Sequence, residues 1–105
     1  MTIQDTEDMW KKVFRKNGEI VTRTIGGETL LVPIRGKLAD MQRIFSLNAM
    51  GEIIWLQLDG KKPLGEIRDD ILKSYDAEMK DIETDIREFV SALLQESLII
   101  RAEPS

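Results

Sequence analysis

The side chains of this chain that could take part in chemistry are carboxylates, hydroxyls, lysines, arginines and a single tyrosine. Its 105 residues include neither histidine nor cysteine. Cys–His and Ser–His nucleophilic sites, thiolate or imidazole metal sites and the commonest general base are therefore excluded. Two carboxylates alone can catalyse where an apolar setting tunes their pKa values, but no pair of acids in this sequence has such a setting. We expect a protein that is not an enzyme and that needs no metal and no cofactor.

Composition favours one cytoplasmic domain. Hydrophobic residues make up 42% of the chain, enough for one core. No stretch approaches the roughly 20 apolar residues of a membrane span, and the acidic start MTIQDTEDMW is unlike a signal peptide. The lack of cysteine fits a reducing cytoplasm. A formal net charge of −4 is unfavourable for binding nucleic acid.

The N-terminal residues 5–16, DTEDMWKKVFRK, predict a short amphipathic helix that Asn17-Gly18 would stop. Its acids come first and its bases last, as the helix dipole prefers. This stripe either packs on the chain's own core or contacts a second copy or a partner; its apolar members are Met9, Trp10, Val13 and Phe14. We take residues 1–17 as an N-terminal extension, 18–101 as the domain and 102–105 as a disordered tail.

Three strands are predicted next. Residues 20–25 and 29–34 are rich in β-branched side chains, and Gly26-Gly27 between them is a strong hairpin signal. The polar stretch RGKLADMQ follows as a mobile connection. Residues 43–47 then predict a third strand that buries part of its side chains.

Three helices follow the strands. Asn48 is a natural N-cap for a helix over residues 49–58, which has apolar side chains on more than one face. A second helix begins near Pro63-Leu64, and a third spans about residues 79–96. The segment 98–100 adds a short strand or simply packs. The order predicts an α+β, winged-helix-like domain: a three-stranded antiparallel sheet followed by three helices, with an extra short N-terminal helix.

This architecture allows three kinds of function. DNA binding is disfavoured because the third helix exposes more acids than bases, namely Asp81, Glu83, Asp85, Glu88 and Glu96 against Lys80 and Arg87. A sheet with a free edge can instead bind a peptide as an added strand. Phe45 would then line the floor and the third helix one wall, although the strand could also serve only the core. The third alternative is a structural module that self-associates through the same edge or through the stripe of Trp10.

Several stretches resemble the PqqD family, also described as RiPP recognition elements. The likeness runs from Gly18 to about Ile100. Its residues are LLVPIRG, the SLN before the first helix, the G..IW..LDG that ends at Gly60, the Glu66-Ile67 and Tyr75-Asp76 pairs, and DI...V..LL..SLI of the third helix.

The resemblance implies that the chain does not catalyse. Family members bind the leader of a ribosomally made precursor peptide and present it to a modifying enzyme, commonly a radical SAM protein. The leader adds as a strand beside the third helix. Carried over by position, the edge would be Arg43, Ile44, Phe45, Ser46 and Leu47, and the facing helix positions Asp85, Glu88, Phe89 and Ala92.

The namesake of the family serves pyrroloquinoline quinone (PQQ) biosynthesis. Here the first strand is EIVTRT and the second ends VPIRG, where quinone-pathway members have an Arg-rich, Asp-containing strand and a Tyr-Pro-Glu. We therefore expect a PqqD-like protein with a precursor of its own, PQQ biosynthesis being the alternative. We expect it to be a monomer or weak dimer that binds neither nucleic acid nor membrane. The acidic third helix indicates a leader with Lys or Arg, or is an ordinary solvated face.

Overall fold

The computed structural model of the chain describes residues 9–36 and 44–102. These residues form a mixed α+β structure, the class predicted from the sequence. The strands are β1 (Val13–Lys16), β2 (Ile20–Ile25), β3 (Glu28–Pro33), β4 (Phe45–Leu47), β5 (Asp59–Pro63) and β6 (Ile99–Arg101), and the helices are α1 (Ala49–Gln57), α2 (Leu64–Ser74) and α3 (Met79–Gln95). The strands form two small antiparallel sheets, of order β5-β1-β6 and β2-β3-β4.

The β2-β3-β4 sheet contains the predicted hairpin. Gly26 and Gly27 have φ values of 60° and 81°. Positive φ at both turn residues is what a two-residue hairpin of this twist requires, and glycine adopts it without steric cost. Strand β4 pairs antiparallel with β3, Leu31 opposite Phe45. Most of the predicted connection RGKLADMQ lies outside the described residues.

The β5-β1-β6 sheet corrects two sequence predictions. Residues Val13–Lys16 are a strand, so the predicted helix over residues 5–16 is wrong there; residues 5–8 lie outside the described part of the chain. The predicted single sheet is likewise joined by a second. β1 pairs with β5 on one side and with β6 on the other. Pairing on both sides decides the conformation because the apolar stripe of so short a segment fits a helix or a strand equally well.

The three helices follow the sequence closely. α1 is capped as predicted: the backbone N–H of Gly51 donates to Oδ1 of Asn48 at 2.7 Å. α2 begins directly after Pro63, where the missing N–H of proline costs nothing. α1, α2 and α3 bury one side each in a common core, around the fully buried Trp55 and Ile86. In the described residues no helix has both the length and the apolar character needed to cross a membrane.

The residues before β1 pack on α2 and α3. The backbone N–H of Gly65 donates to the carbonyl oxygen of Trp10 at 2.9 Å. The guanidinium groups of Arg68 and Arg87 lie 5.1 Å and 5.7 Å from the centroid of the Trp10 ring, within the range of cation–π attraction. Arg68 also donates to Glu83 at 2.7 Å, which ties α2 to α3. These contacts favour the interpretation in which the stripe of Trp10 packs on its own core.

Candidate functional site

Strand β4 forms one edge of its sheet. Among the described residues it pairs only with β3, so its other side presents backbone N–H and C=O groups that no strand satisfies. Ile44, just before the strand, is 60% exposed. Arg43, the first of the predicted edge residues, lies outside the described residues. The edge predicted from the sequence is therefore present from Phe45 to Leu47.

The side chains of β4 alternate between two environments. Phe45 is half-buried and Leu47 buried, on the sheet face that also carries the fully buried Leu31. Ser46 points to the opposite face, where its hydroxyl hydrogen-bonds a carboxylate oxygen of Glu28. Recognition through β4 would therefore combine exposed backbone on one side with apolar side chains toward the helices.

Helix α3 brings its predicted residues to the same place. Phe89 lies edge-on to Phe45, with ring centroids 6.5 Å apart and planes inclined by 65°. Asp85, one turn before Phe89, and Glu88, next to Phe89 in sequence, are both exposed. Ala92, about one turn after Phe89, is half-buried. We call the edge of β4 and this face of α3 the groove. Of the predicted site residues that the structure describes, Phe45 and Phe89 meet across the groove, whereas Ser46 faces the other side of the sheet.

A cleft of about 260 Å³ opens between α1 and α3, next to the end of β4. Three of the predicted residues line it, and four that were interpreted only as core or cap line it too. The full set is Asn48, Met50, Gly51, Ile54, Asp85, Glu88 and Phe89.

Gly51 determines how closely α3 approaches α1 at the cleft. A methyl group on its Cα would lie 3.1 Å from Cε1 of Phe89, so the missing side chain lets α3 approach α1 closely. The sequence offered one signal of this contact, a glycine inside an apolar helix, where glycine costs stability unless packing needs it. Met50 and Ile54 gave no signal, since their spacing is that of core residues.

Two titratable groups with shifted pKa values belong to the other sheet. Burial lowers the pKa of Lys16, and the charge of Asp59 acts in the opposite direction. Nζ of Lys16 donates to the carbonyl of Leu58 at 2.9 Å. Hydrogen bonds from the backbone N–H groups of Lys62 and Lys61 lower the pKa of Asp59. The Lys16 contact joins β1 to the residue before β5, whereas the Asp59 hydrogen bonds lie within β5.

The described residues contain no group of three or more acids, histidines or cysteines placed to hold a metal ion. What the groove offers is a backbone edge, two aromatic rings and a cleft with two carboxylates. Such a surface can bind an extended chain.

Comparisons with known proteins agree with this geometry. A family model described as coenzyme PQQ synthesis protein D (PqqD) matches residues 28–99. A structure described as TbiB1 in complex with the TbiA(beta) leader peptide is similar, with 28% identity and a TM-score of 0.66 over 81% of this chain and 93% of that chain. Lasso peptide synthetase B1 complexed with the leader peptide has a TM-score of 0.68 at 21% identity, over 83% of this chain and 96% of that one, and so shares the fold. No curated protein matches the chain.

Proposed function

Because this chain belongs to the PqqD family, we propose that it is a non-catalytic protein that binds the leader of a ribosomal precursor peptide. The observation that carries the proposal is the free edge of β4 beside Phe89 of α3. The similarity to TbiB1, whose structure contains a leader peptide, supports it. The bound precursor is then presented to a peptide-modifying enzyme, which we propose to be of the radical SAM type.

The leader binds by strand addition. Its backbone pairs with the edge formed by Arg43, Ile44, Phe45, Ser46 and Leu47, and its inward side chains rest on Phe45 and Phe89. Asp85, Glu88 and Ala92 supply the rest of the wall on α3. Main-chain hydrogen bonds give affinity without regard to sequence, whereas the side chains of the groove select the leader.

The edge of β4 is better suited to this task than that of β2, the other edge of the same sheet. Four consecutive residues of β2, Thr22 to Ile25, are exposed and all but Ile25 are polar, so a strand added there would gain backbone hydrogen bonds but little apolar contact beyond Ile25. At β4 an added strand would also bury the exposed Ile44 and the half-buried Phe45 and Phe89. Removing apolar surface from water supplies much of the free energy of association.

The direct test uses isotope-labelled protein and synthetic leaders of candidate short precursors encoded near this chain. We expect amide shifts concentrated at residues 44–47 and 85–92, and none with a scrambled leader. Shifts confined to β2 or to loops would contradict the proposal. Leaders N-methylated at one position at a time then test strand addition, because each lacks one backbone donor and keeps its side chain. Affinity should fall at alternate positions, and no periodic loss would rule out strand pairing.

Variants of α3 provide the matched test on the protein. Phe89→Ala removes the ring from the groove, and we expect about tenfold weaker leader binding, as for a buried aromatic contact. Leu94→Ala removes a comparable side chain from another face of α3, where Leu94 is 45% exposed, and should leave affinity unchanged. Ser46→Pro should prevent strand addition, with folding checked by circular dichroism, because proline has no backbone N–H.

The remaining functions are separated by two further measurements. A winged-helix-like domain, as predicted from the sequence, can bind DNA, so salt-dependent association with a DNA duplex would replace the proposal. Sedimentation at several concentrations tests self-association through β4. The pathway is a separate question: co-expression with the PQQ precursor and with each candidate precursor, in the presence of a radical SAM enzyme, identifies it from the product that forms.

A further inference from the structure

The cleft beside β4 combines an apolar floor with acids on one rim. Met50 and Phe89, both half-buried, contribute carbon surface, and Gly51 lies on the side of α1 that faces α3. Its volume of about 260 Å³ equals the liquid volume of about nine water molecules at roughly 30 Å³ each. It is therefore large enough for one long side chain, and it is smaller than the roughly 300–1,000 Å³ pockets that bind drug-sized molecules.

The two acids of the rim have no partner in the described part of the chain. Asp85 and Glu88 lie three positions apart on α3, so their side chains share one face. Neither makes a hydrogen bond or ion pair with a described residue. Arg87, the cation between them in sequence, faces Trp10 instead and lies 5.7 Å from its ring centroid. Among the described residues, therefore, no cation neutralises the two negative charges of the rim.

We propose that this cleft receives a lysine or arginine side chain of the bound leader. The proposal rests on the proposed function, since the occupant belongs to the peptide that pairs with β4. The aliphatic stem of the side chain packs on Met50 and Phe89. The cationic head lies against Asp85 and Glu88. Long basic side chains suit such a site because they bury their methylene groups while the charged end stays at a polar rim.

Other occupants fit the cleft less well. A purely apolar side chain would remove water from the two carboxylates and give them no partner, which is unfavourable. A metal ion would need more ligands, and the described residues contain no group of three acids placed for one. Only a cation with an apolar stem uses both halves of the cleft.

The position of this residue in the leader follows from strand geometry. Alternate side chains of an added strand face α3, the side to which Phe45 and Leu47 point. Asn48, which lines the cleft, comes directly after Leu47. The basic residue therefore lies opposite Leu47 or within two residues beyond it, at the end of the paired segment.

The test uses a synthetic leader, chosen from the candidate precursors because it shifts the amides of β4, together with variants of it in which one basic residue is changed. Lysine is replaced by norleucine and arginine by citrulline, which remove the charge and keep the length of the side chain. The variant that is changed at the residue entering the cleft should bind about five- to tenfold more weakly, as expected for loss of two exposed ion pairs. Glu88→Gln and Asp85→Asn should weaken the natural leader similarly and abolish the difference between it and its uncharged variant.

Glu66→Gln is the matched control, because it makes the same change of charge at an exposed position of α2. It should leave both affinities unchanged. Leader binding that shifts the amides of β4 but does not respond to these changes overturns the cleft assignment and leaves the proposed function standing. A leader that binds without any lysine or arginine does the same. Absence of leader binding to the unaltered protein overturns both.

Discussion

Replacing Asn48 with alanine tests how α1, and with it one wall of the cleft, is held in place. The side chain of Asn48 accepts one hydrogen bond, 2.7 Å long, from the backbone N–H of Gly51. The backbone oxygen of Asn48 separately accepts the N–H of Glu52 at 2.9 Å. Alanine removes only the first bond, so α1 should still begin at the same residue.

The size of the effect follows from the burial of the donor. Loss of an asparagine N-cap costs about 0.5–2 kcal/mol, with about 1 kcal/mol typical. Gly51 is buried on the side of α1 that faces Phe89 of α3, so water replaces the lost acceptor poorly. We therefore expect Asn48→Ala to lower the free energy of unfolding by about 1–2 kcal/mol. For a domain of this size each 1 kcal/mol corresponds to a fall in Tm of about 4–8 °C.

The assay is urea unfolding followed by circular dichroism, with thermal unfolding as a second measurement. Asn48→Ser is the control, because serine also accepts the N–H of the first turn and should keep most of the stability. A loss below about 0.3 kcal/mol in Asn48→Ala would refute the capping argument. Equal losses in the alanine and serine variants would show that packing of the asparagine in the cleft, rather than its hydrogen bond, is responsible.

Three further predictions concern the helices and the second sheet. Gly51→Ala should change the free energy of unfolding by no more than about 1 kcal/mol, because the gain in helix propensity offsets the contact at 3.1 Å with Phe89. The same variant should bind the leader more weakly in titration calorimetry, because the added methyl group displaces the Phe89 ring. Arg68→Ala should lower the free energy of unfolding in urea by on the order of 1–2 kcal/mol, since it removes both the hydrogen bond to Glu83 and the cation–π contact with Trp10. Glu83→Gln should lower it less, and equal losses in the two variants would contradict this. Hydrogen bonds from two backbone N–H groups lower the pKa of Asp59 in the folded protein. The stability that its carboxylate contributes is therefore fully present above the pKa of the unfolded chain and is lost as the pH falls through the lower folded pKa. The difference in Tm between the chain and its Asp59→Ala variant should therefore shrink in acid, and a constant difference would refute the linkage.

The parts of the fold predicted from the sequence are those encoded by neighbouring residues. The glycine pair of the hairpin, the cap at Asn48 and the proline before α2 each act within a few positions, so their effects can be read directly from the sequence. Strand β1 was mistaken for a helix because its partners, β5 and β6, lie far along the chain. Nothing within residues 13–16 indicates that both partners exist.

The candidate site divides in the same way. The strand edge was predicted because a run of apolar residues ends at a helix cap, and the α3 positions came from the family resemblance. The α1 side of the cleft was missed because Met50 and Ile54 have the spacing of core residues. Their role depends on how closely α3 approaches Gly51, which only the folded structure determines.

The short length of β4 determines how the proposed complex must obtain its affinity. A strand of three residues directs the backbone groups of only one or two residues outward, which allows about two to four hydrogen bonds. At about 0.5–1.5 kcal/mol each, these contribute less than the roughly 8 kcal/mol of a micromolar complex, even before the entropy of association is counted. The rest must come from apolar contact with Ile44, Phe45 and Phe89 and from the cleft. Leaders with the same backbone but different side chains should therefore differ widely in affinity, so the side chains, more than the strand pairing, determine which precursor this protein accepts.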